Sequence, residues 1–173
     1  MPRAVAHCRT AQDVQSAIRA TRDSDLSLSV RGGGHDWAGR ALCDGIVIDL
    51  TAMNDVTLSP DYRAARISGG ARASDVLAVT DPRGLAVVTG SCSSVGMAGL
   101  TLGGGYGSLI ARFGLALDNL LAAEVVLADG RIVTASPDNE QDLFWALRGG
   151  GGNFGVVTAM QHRTHYLPGV RSG

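Results

Sequence analysis

The chain has 173 residues, 45% of them hydrophobic, which is enough for one globular domain with a real core but not for two full domains. Its 15 basic and 16 acidic residues leave a net charge of −1, so no summed positive field favours a nucleic acid or an anionic membrane as a partner. All 15 basic residues are arginine, and the absence of lysine excludes a P-loop ATPase and Schiff-base chemistry.

The three cysteines, Cys8, Cys43 and Cys92, indicate neither a metal site nor a disulfide framework. None belongs to a CxxC pair or to a Cys/His cluster with zinc spacing, and an odd number does not suit a set of disulfides. A reducing compartment is the simpler interpretation. The N-terminal residues lack the apolar core of a signal peptide, and no later stretch reaches the roughly 18 apolar residues of a membrane span. The sequence therefore predicts a soluble, cytoplasmic protein that binds no metal.

In chain order, the pattern predicts short helices between short strands. Thr10 and Asp13 match a capping box before the first helix, and Asp129-Gly130 is a hairpin turn between two β-type segments. The predicted helices cover about 11–23, 74–80, 108–113 and 140–147, and the predicted strands cover 26–30, 45–50, 55–58, 64–68, 85–89, 122–127, 131–135 and 155–164. Antiparallel turn signals favour an α+β fold with mixed or antiparallel sheets and flanking helices. We expect two lobes, about 1–70 and 71–173, with a small β-rich part in the first.

Glycine is the most informative residue, because the 24 glycines are about twice the average usage of roughly 7%. They cluster at 31–35, 102–107 and 148–155, each time between apolar segments. Successive glycine amides can bind an anion, so three such loops suggest a dinucleotide with a pyrophosphate, although tight turns and close backbone packing are the alternative. The GxGxxG spacing of Gly150, Gly152 and Gly155 is not a Rossmann motif, because the pattern that follows is a strand instead of a helix.

Four motifs, in order, resemble a known family. They are VRGGGHDWAG, VVTGSCSSVGMAGLTLGGGYG, GLALDNLLAAEVVLADGRIVTAS and LFWALRGGGGNFGVVT, and together they span nearly the whole chain, from about Pro2 to Leu167. They resemble the PCMH-type FAD-binding domain of the vanillyl-alcohol oxidase and p-cresol methylhydroxylase superfamily, and within it the berberine-bridge-enzyme-like oxidoreductases. The resemblance implies the two-lobed fold of that domain, without the substrate domain that follows it in full-length relatives.

The resemblance implies two covalent bonds to FAD. His35 matches the histidine bonded to the 8α carbon of the isoalloxazine, and Cys92 matches the cysteine bonded to carbon 6. A neutral imidazole is a competent nucleophile near pH 7, and a thiolate is plausible in a glycine-rich turn. The structural alternatives are a hydrogen-bonded core histidine and a small buried hydrophobe, which is what we expect of Cys8 and Cys43. Val95 matches the position that limits access of oxygen to the flavin, where valine is typical of oxidases.

Other matched residues surround the cofactor without bonding to it covalently. The first loop wraps the pyrophosphate, and Asp118 and Asn119 lie near the adenosine part, although capping and turning the chain is an alternative role for them. We expect Trp37 to wedge beside the first loop without chemistry. The implied cofactor-binding residues are Arg31, Gly32, Gly33, Gly34, His35, Gly90, Cys92, Ser94, Val95, Gly96, Gly99, Gly103, Gly104, Gly105, Gly107, Asp118, Asn119, Gly152, Asn153, Gly155, Val156 and Val157.

The implied function is that of an oxidoreductase, in which hydride passes from an alcohol, a sugar or a similar small molecule to FAD and then to oxygen. The chain stops where a substrate domain would begin, so a further domain or a partner chain is expected to complete the site. The catalytic base is unknown, and Tyr106 is not nominated without geometry. Two alternatives stay open: an inert flavin-binding module, and a structural α+β domain that has lost its cofactor.

Overall fold

A computed structural model describes residues 1–167 of the chain, and the end of the predicted second lobe, 168–173, lies outside these described residues. The fold is α+β with mixed sheets, as predicted. Its strands are β1 (Ala4–His7), β2 (Leu28–Arg31), β3 (Ile46–Asp49), β4 (Val56–Leu58), β5 (Ala64–Ser68), β6 (Leu85–Ala86), β7 (Leu120–Val126), β8 (Ile132–Ala135), β9 (Val156–Arg163) and β10 (His165–Tyr166). Its α-helices are α1 (Ala11–Asp23), α2 (Ala73–Thr80), α3 (Met97–Leu102), α4 (Ile110–Phe113) and α5 (Gln141–Leu147), with 3-10 turns at Asp81–Arg83 and Ala116–Asn119.

The N-terminal part forms a three-stranded parallel sheet in the order β1-β3-β2. All four residues of β3 are buried, because β3 is the central strand and α1 packs over it. Helix α1 begins with the predicted capping box, in which the Thr10 hydroxyl accepts from the Asp13 amide at 3.1 Å and the Asp13 carboxylate accepts from the Thr10 amide at 3.0 Å. Val14, Ala17, Ile18 and Thr21 form its buried face, as the helical spacing predicts.

The larger sheet has five antiparallel strands in the order β4-β5-β9-β7-β8. Strand β9 is its centre, and five consecutive residues of β9, from Val156 to Met160, are buried. Ile67, Val125 and Met160 from this sheet pack with Val76 of α2 and Met97 of α3 in the main core. A smaller core lies between α1 and the parallel sheet and is shared with Val126 and Val156. The two sheets are therefore joined by apolar packing.

The sheets divide the chain at a different place from the predicted lobes. Strands β4 and β5 precede residue 70, but they belong to the same sheet as β7, β8 and β9. The three predicted strands at 45–68 consequently do not form one β-rich unit, because the first joins the parallel sheet and the other two join the antiparallel one. The division into lobes at about residue 70 stays a prediction.

Most predicted elements lie within a few residues of the observed ones, and the exceptions have physical reasons. The predicted strand at 85–89 is reduced to the two residues of β6, which pair with β10, although Val87 and Val88 remain buried. Strand β1 was not predicted, since it is a four-residue edge strand without alternating burial. Trp37 was expected to wedge beside the first glycine loop, but this is wrong, because its side chain is fully exposed.

Candidate cofactor-binding site

A groove of about 1290 Å³ lies between the parallel sheet and the glycine-rich segments. Its walls combine backbone from three loops with apolar side chains such as Leu50, Leu102 and Val126. The predicted site residues that line the groove are Gly32, Gly33, Gly34, His35, Val95, Gly96, Gly99, Gly103, Gly152, Asn153, Gly155, Val156 and Val157. Residues from segments more than 100 positions apart in the sequence thus meet at one concave surface. Such a surface suits a long ligand with both polar and apolar parts.

The first two loops touch each other through backbone atoms. A Cβ atom added at Gly33 would overlap with the backbone nitrogen of Gly96, and a Cβ atom added at Gly96 would overlap with the nitrogen of Gly33. Gly33 has ordinary backbone angles, so the requirement for glycine there comes from the close approach of the two chains. This contact positions the start of α3 directly against the turn that follows β2.

The first loop presents free backbone donors to the groove. Within residues 1–167, no carbonyl or side chain accepts a hydrogen bond from the amides of Gly32, Gly33 or Gly34. Gly34 has a φ of +70°, a left-handed conformation that glycine adopts without strain and that turns the chain at the end of the loop. Consecutive unpaired amides that line a concave surface form a site for an anion such as a pyrophosphate.

An ion pair at the carboxyl edge of the parallel sheet fixes the start of this loop. Asp49 is 3% exposed, and its register partners on both neighbouring strands are His7 and Arg31. The Arg31 guanidinium lies 3.4 Å from the Asp49 carboxylate, and the Thr51 amide and hydroxyl donate to that carboxylate at 2.9 and 2.6 Å. Burial opposes ionisation of Asp49, but the bonds from Thr51 and the charge of Arg31 outweigh it and lower the pKa of the carboxyl. Asp49 is therefore an anionic anchor below the loop.

His35 and Cys92 come together at the edge of the groove. His35 Nε2 lies 2.7 Å from Ser94 Oγ and 4.0 Å from Cys92 Sγ, and Cys92 Sγ lies 3.2 Å from Ser94 Oγ. Both His35 and Cys92 are exposed, so neither has the buried structural role that was their alternative. Hydrogen bonds with the side chain and then the backbone of Ser94 lower the pKa of the Cys92 thiol. The site holds two nucleophiles within reach of one ligand.

The other two cysteines match the expectation of packing roles to different degrees. Cys8 is buried, and desolvation is the main cause that raises the pKa of its thiol to about 11. Cys43 is only half-buried and donates towards the Ile46 carbonyl at 3.4 Å. Neither lies among the residues that line the groove.

Several predicted site residues do not line the groove. Gly105 packs against Ala116, and Gly107 packs against the backbone of Thr89, so both hold the loop after α3 in place. Asp118 accepts from the Leu115 amide at 2.9 Å, and Asn119 is buried and donates to the Phe113 and Leu115 carbonyls at 2.9 and 2.8 Å. These contacts are the capping and turn-forming role that was the alternative. Arg31, Gly90, Cys92, Ser94 and Gly104 likewise lie outside the lining set.

Sequence reasoning missed the contribution of α1 and of the turn after it. Thr21, Arg22 and Asp25 line the groove on the side opposite the glycine loops, and Gly69 lines it after β5. The helical spacing correctly shows that Thr21 faces inward. No local pattern shows that the end of α1 borders a ligand groove, because that depends on how the helix lies across the parallel sheet.

The structure also bears on metal binding and on membrane spanning. Among residues 1–167, no three His, Cys, Asp or Glu side chains are grouped so that they could hold a metal ion. In the same part of the chain, no helix is both long and apolar enough to cross a membrane.

Known proteins of similar sequence include oxidases and FAD-linked oxidoreductases. The chain is 44% identical over 168 residues to (R)-6-hydroxynicotine oxidase of Paenarthrobacter nicotinovorans, covering 96% of this chain and 37% of the relative. It is 39% identical over 173 residues to glucooligosaccharide oxidase of Sarocladium strictum, covering 98% of this chain and 34% of the relative. The chain thus spans about a third of the length of these relatives.

Solved structures with a similar fold also include oxidases. The crystal structure of 6-hydroxy-D-nicotine oxidase from Arthrobacter nicotinovorans matches with a TM-score of 0.93 at 43% identity, over 97% of this chain and 38% of that one. Glucooligosaccharide oxidase from Acremonium strictum, described with a 6-S-cysteinyl, 8α-N1-histidyl FAD, matches with a TM-score of 0.88 at 36% identity, over 94% of this chain and 35% of that one. A VAO-type flavoprotein from Myceliophthora thermophila C1 matches with a TM-score of 0.87 at 34% identity, over 93% and 31%.

The family of FAD binding domains matches residues 2–136, which is most of the chain. This match agrees with the four motifs, with the groove that they form and with the flavoprotein structures of the same fold. The chain belongs to the FAD-binding domain family of VAO-type flavoproteins.

Proposed function

We propose that this chain is the FAD-binding portion of a flavin-dependent oxidase and that its FAD is bonded covalently to both His35 and Cys92. The observation that carries the proposal is the 4.0 Å separation between His35 Nε2 and Cys92 Sγ at the edge of the groove. Positions 6 and 8 of a flavin belong to the same ring, so two nucleophiles this close can reach both positions of one cofactor. The FAD that is described for glucooligosaccharide oxidase carries bonds of both kinds.

The groove fits FAD in its polar and its apolar parts. The unpaired amides of Gly32, Gly33 and Gly34 would donate hydrogen bonds to the pyrophosphate, and their dipoles would stabilise its charge. Val156, Val157 and Asn153 also line the groove, and apolar side chains with an amide side chain suit an adenosine. Asp49 lies below the first loop, and its pairing with Arg31 limits its repulsion of a bound anion.

The chemistry of the complete protein follows from the cofactor. Bound FAD accepts hydride from a substrate carbon, with oxygen proposed as the final acceptor. This chain would orient the ring through His35 and Cys92, and half-buried Val95 would narrow the approach to it from the groove. By analogy with the relatives, the substrate would be an alcohol, a sugar or a similar small molecule with a reactive C–H bond, held by a substrate domain or a partner chain. Tyr106 is exposed and carries no role in the proposal.

The test is the visible spectrum of the purified chain before and after acid precipitation, together with intact mass. We expect flavin to stay with the precipitated wild-type protein and with His35→Ala and Cys92→Ala separately, and to be released only from the double variant. Cys43→Ala is the matched control, because the Cys43 thiol contacts the Ser27 and Ile46 carbonyls instead of His35, and this variant should retain the flavin fully.

Each departure from this result has a distinct meaning. Release of flavin from either single variant would reduce the attachment to one bond. Yellow protein that loses all flavin in acid would favour an inert, non-covalent flavin-binding module. Colourless protein that takes up no FAD would contradict the proposal and favour a structural domain that has lost its cofactor.

A further inference from the structure

The hydroxyl of Ser94 is shared by the two nucleophiles of the candidate attachment site. Ser94 Oγ lies 2.7 Å from His35 Nε2 and 3.2 Å from Cys92 Sγ, so one side chain bridges both. We propose that Ser94 is a positioning residue that fixes the tautomer of His35 and stabilises the thiolate of Cys92 through one directed chain of hydrogen bonds. The inference rests on the proposed function for its purpose, but its geometry is independent of FAD.

A serine hydroxyl has one proton, so it can donate to only one of its two neighbours. If Ser94 donates to Cys92, then His35 must donate its Nε2 proton to Ser94, which leaves Nδ1 with a free lone pair and lets the sulfur accept as a thiolate. If Ser94 donates to His35, then Cys92 must donate its own proton to Ser94, which leaves a thiol and a protonated Nδ1. Only the first arrangement makes both groups nucleophilic. The arrangements differ by one proton, which the thiol releases to water while the imidazole changes tautomer.

The surroundings favour the first arrangement. A hydroxyl that donates to a thiolate makes a charge-assisted bond, which is stronger than a bond between neutral partners. Hydrogen bonds with the side chain and the backbone of Ser94 lower the pKa of Cys92, and only burial opposes them. No charged side chain among the described residues shifts the pKa of this thiol, and His35 is the one titratable group that faces it within hydrogen-bonding distance. The hydroxyl therefore does here what an adjacent cation does at other reactive cysteines.

The backbone holds Ser94 in place for this role. The carbonyls on either side of it, Ser93 O and Val95 O, accept from the Ser74 and Ala73 amides at 2.9 and 3.0 Å. The Ser94 carbonyl itself packs against Gly33 of the first loop. In contrast, Ser91 and Ser93 are exposed, and their hydroxyls make no hydrogen bond among the described residues, so they provide matched controls two or fewer positions from Cys92.

The test measures alkylation of Cys92 by iodoacetamide against pH in the full chain without FAD, with each cysteine resolved by peptide mass spectrometry. For Ser94→Ala we expect the midpoint to rise by about one pH unit and the rate at pH 7 to fall about tenfold. Ser94→Thr keeps a hydroxyl and should restore most of the rate, and Ser91→Ala should match wild type. Cys8 is buried and reports folding, because its alkylation would show that a variant has unfolded.

A second readout follows the histidine directly. Long-range ¹⁵N–¹H spectra of the wild-type chain should show His35 protonated on Nε2, and Ser94→Ala should show a mixture of tautomers. The inference would be overturned if Ser94→Ala and Ser91→Ala showed the same pH midpoint of Cys92 alkylation and the same His35 tautomer. It would also be overturned if His35 of the wild-type chain were protonated on Nδ1. Because neither readout needs FAD, failure to take up flavin would count against the proposed function alone.

Discussion

Two histidines in this chain each bond to a hydroxyl, yet they lie in opposite environments. His35 lies 2.7 Å from Ser94 at the exposed edge of the groove, and His162 lies 3.2 Å from Thr101 between β9 and α3, with no exposed surface. Burial lowers the pKa of His162 to about 4, and its Nδ1 has no partner among the described residues. The same pair of groups is thus accessible to a ligand at the edge of the groove and shielded from one in the core.

Two cysteines show the same difference. Cys8 is buried below α1, and desolvation raises the pKa of its thiol to about 11, whereas Cys92 is exposed and its pKa is lowered by hydrogen bonds from Ser94. Residue type alone therefore does not identify the nucleophile in this fold. What distinguishes the site is the combination of solvent access, an adjacent hydrogen-bond donor and a backbone contact that keeps these groups together.

One added methyl group should break the contact between the loops at Gly33 and Gly96. Of the changes considered, this one should lower the free energy of unfolding the most. In Gly33→Ala the new Cβ overlaps with the backbone of Gly96, so one loop must move, at a cost of about 4 kcal/mol or more. Thermal and urea unfolding would measure it, and FAD uptake should be lost in parallel. Gly99→Ala is the control for the unfolding measurement, since its Cβ would meet nothing within 4 Å, and Gly99 lies inside α3 where alanine is favoured. Equal stability of both variants would contradict the close packing of the loops.

The buried His162 should make the free energy of unfolding depend on pH. Unfolded His162 binds a proton below its ordinary pKa of 6.5, but the folded protein does so only near pH 4. The unfolded state therefore holds more protons between these values, and the free energy of unfolding should fall by roughly 3 kcal/mol as the pH drops through this window. His162→Gln should flatten this part of the curve, whereas His7→Gln, at an exposed position, should keep most of the slope. An unchanged slope in His162→Gln would show that another group titrates there.

Removing the charge of Asp49, the anionic anchor of the first loop, should lower the free energy of unfolding the least. Asp49→Asn keeps an acceptor for Thr51 but removes the charge that pairs with Arg31, and we expect a loss of about 1–2 kcal/mol in unfolding experiments. The half-exposed Arg31 can be hydrated after the change, which limits the loss. Asp61→Asn removes a similar charge from an exposed pair with Arg63 and should change stability much less, because solvent screens an exposed pair. Equal losses of stability in Asp49→Asn and Asp61→Asn would mean that the burial of Asp49 adds nothing to the strength of its ion pair.

Much of the fold could be predicted because it depends on local patterns. The spacing of Val14, Ala17 and Ile18 and the Thr10 capping box fix α1, and the Asp129-Gly130 turn fixes the hairpin of β7 and β8. Helix α3 was not predicted, since Gly99 lowers its helix propensity. It forms because Met97, Ala98, Thr101 and Leu102 are buried against the antiparallel sheet. Tertiary packing supplies what the local sequence lacks.

The sequence by itself determined which residues became candidates for the site: three glycine clusters, and His35 and Cys92 within two of the four motifs that resemble a flavoprotein family. Only the tertiary structure decided that Gly33 and Gly96 touch, that Ser94 joins the two nucleophiles, and that Asp49 holds Arg31. It also decided that Asn119 ties turns together instead of lining the groove. The physical reason is that helix spacing, capping and turns depend on neighbouring residues, whereas the contacts of Arg31 with Asp49, of His35 with Ser94 and of Gly33 with Gly96 join residues 18, 59 and 63 positions apart, which only the tertiary fold brings together.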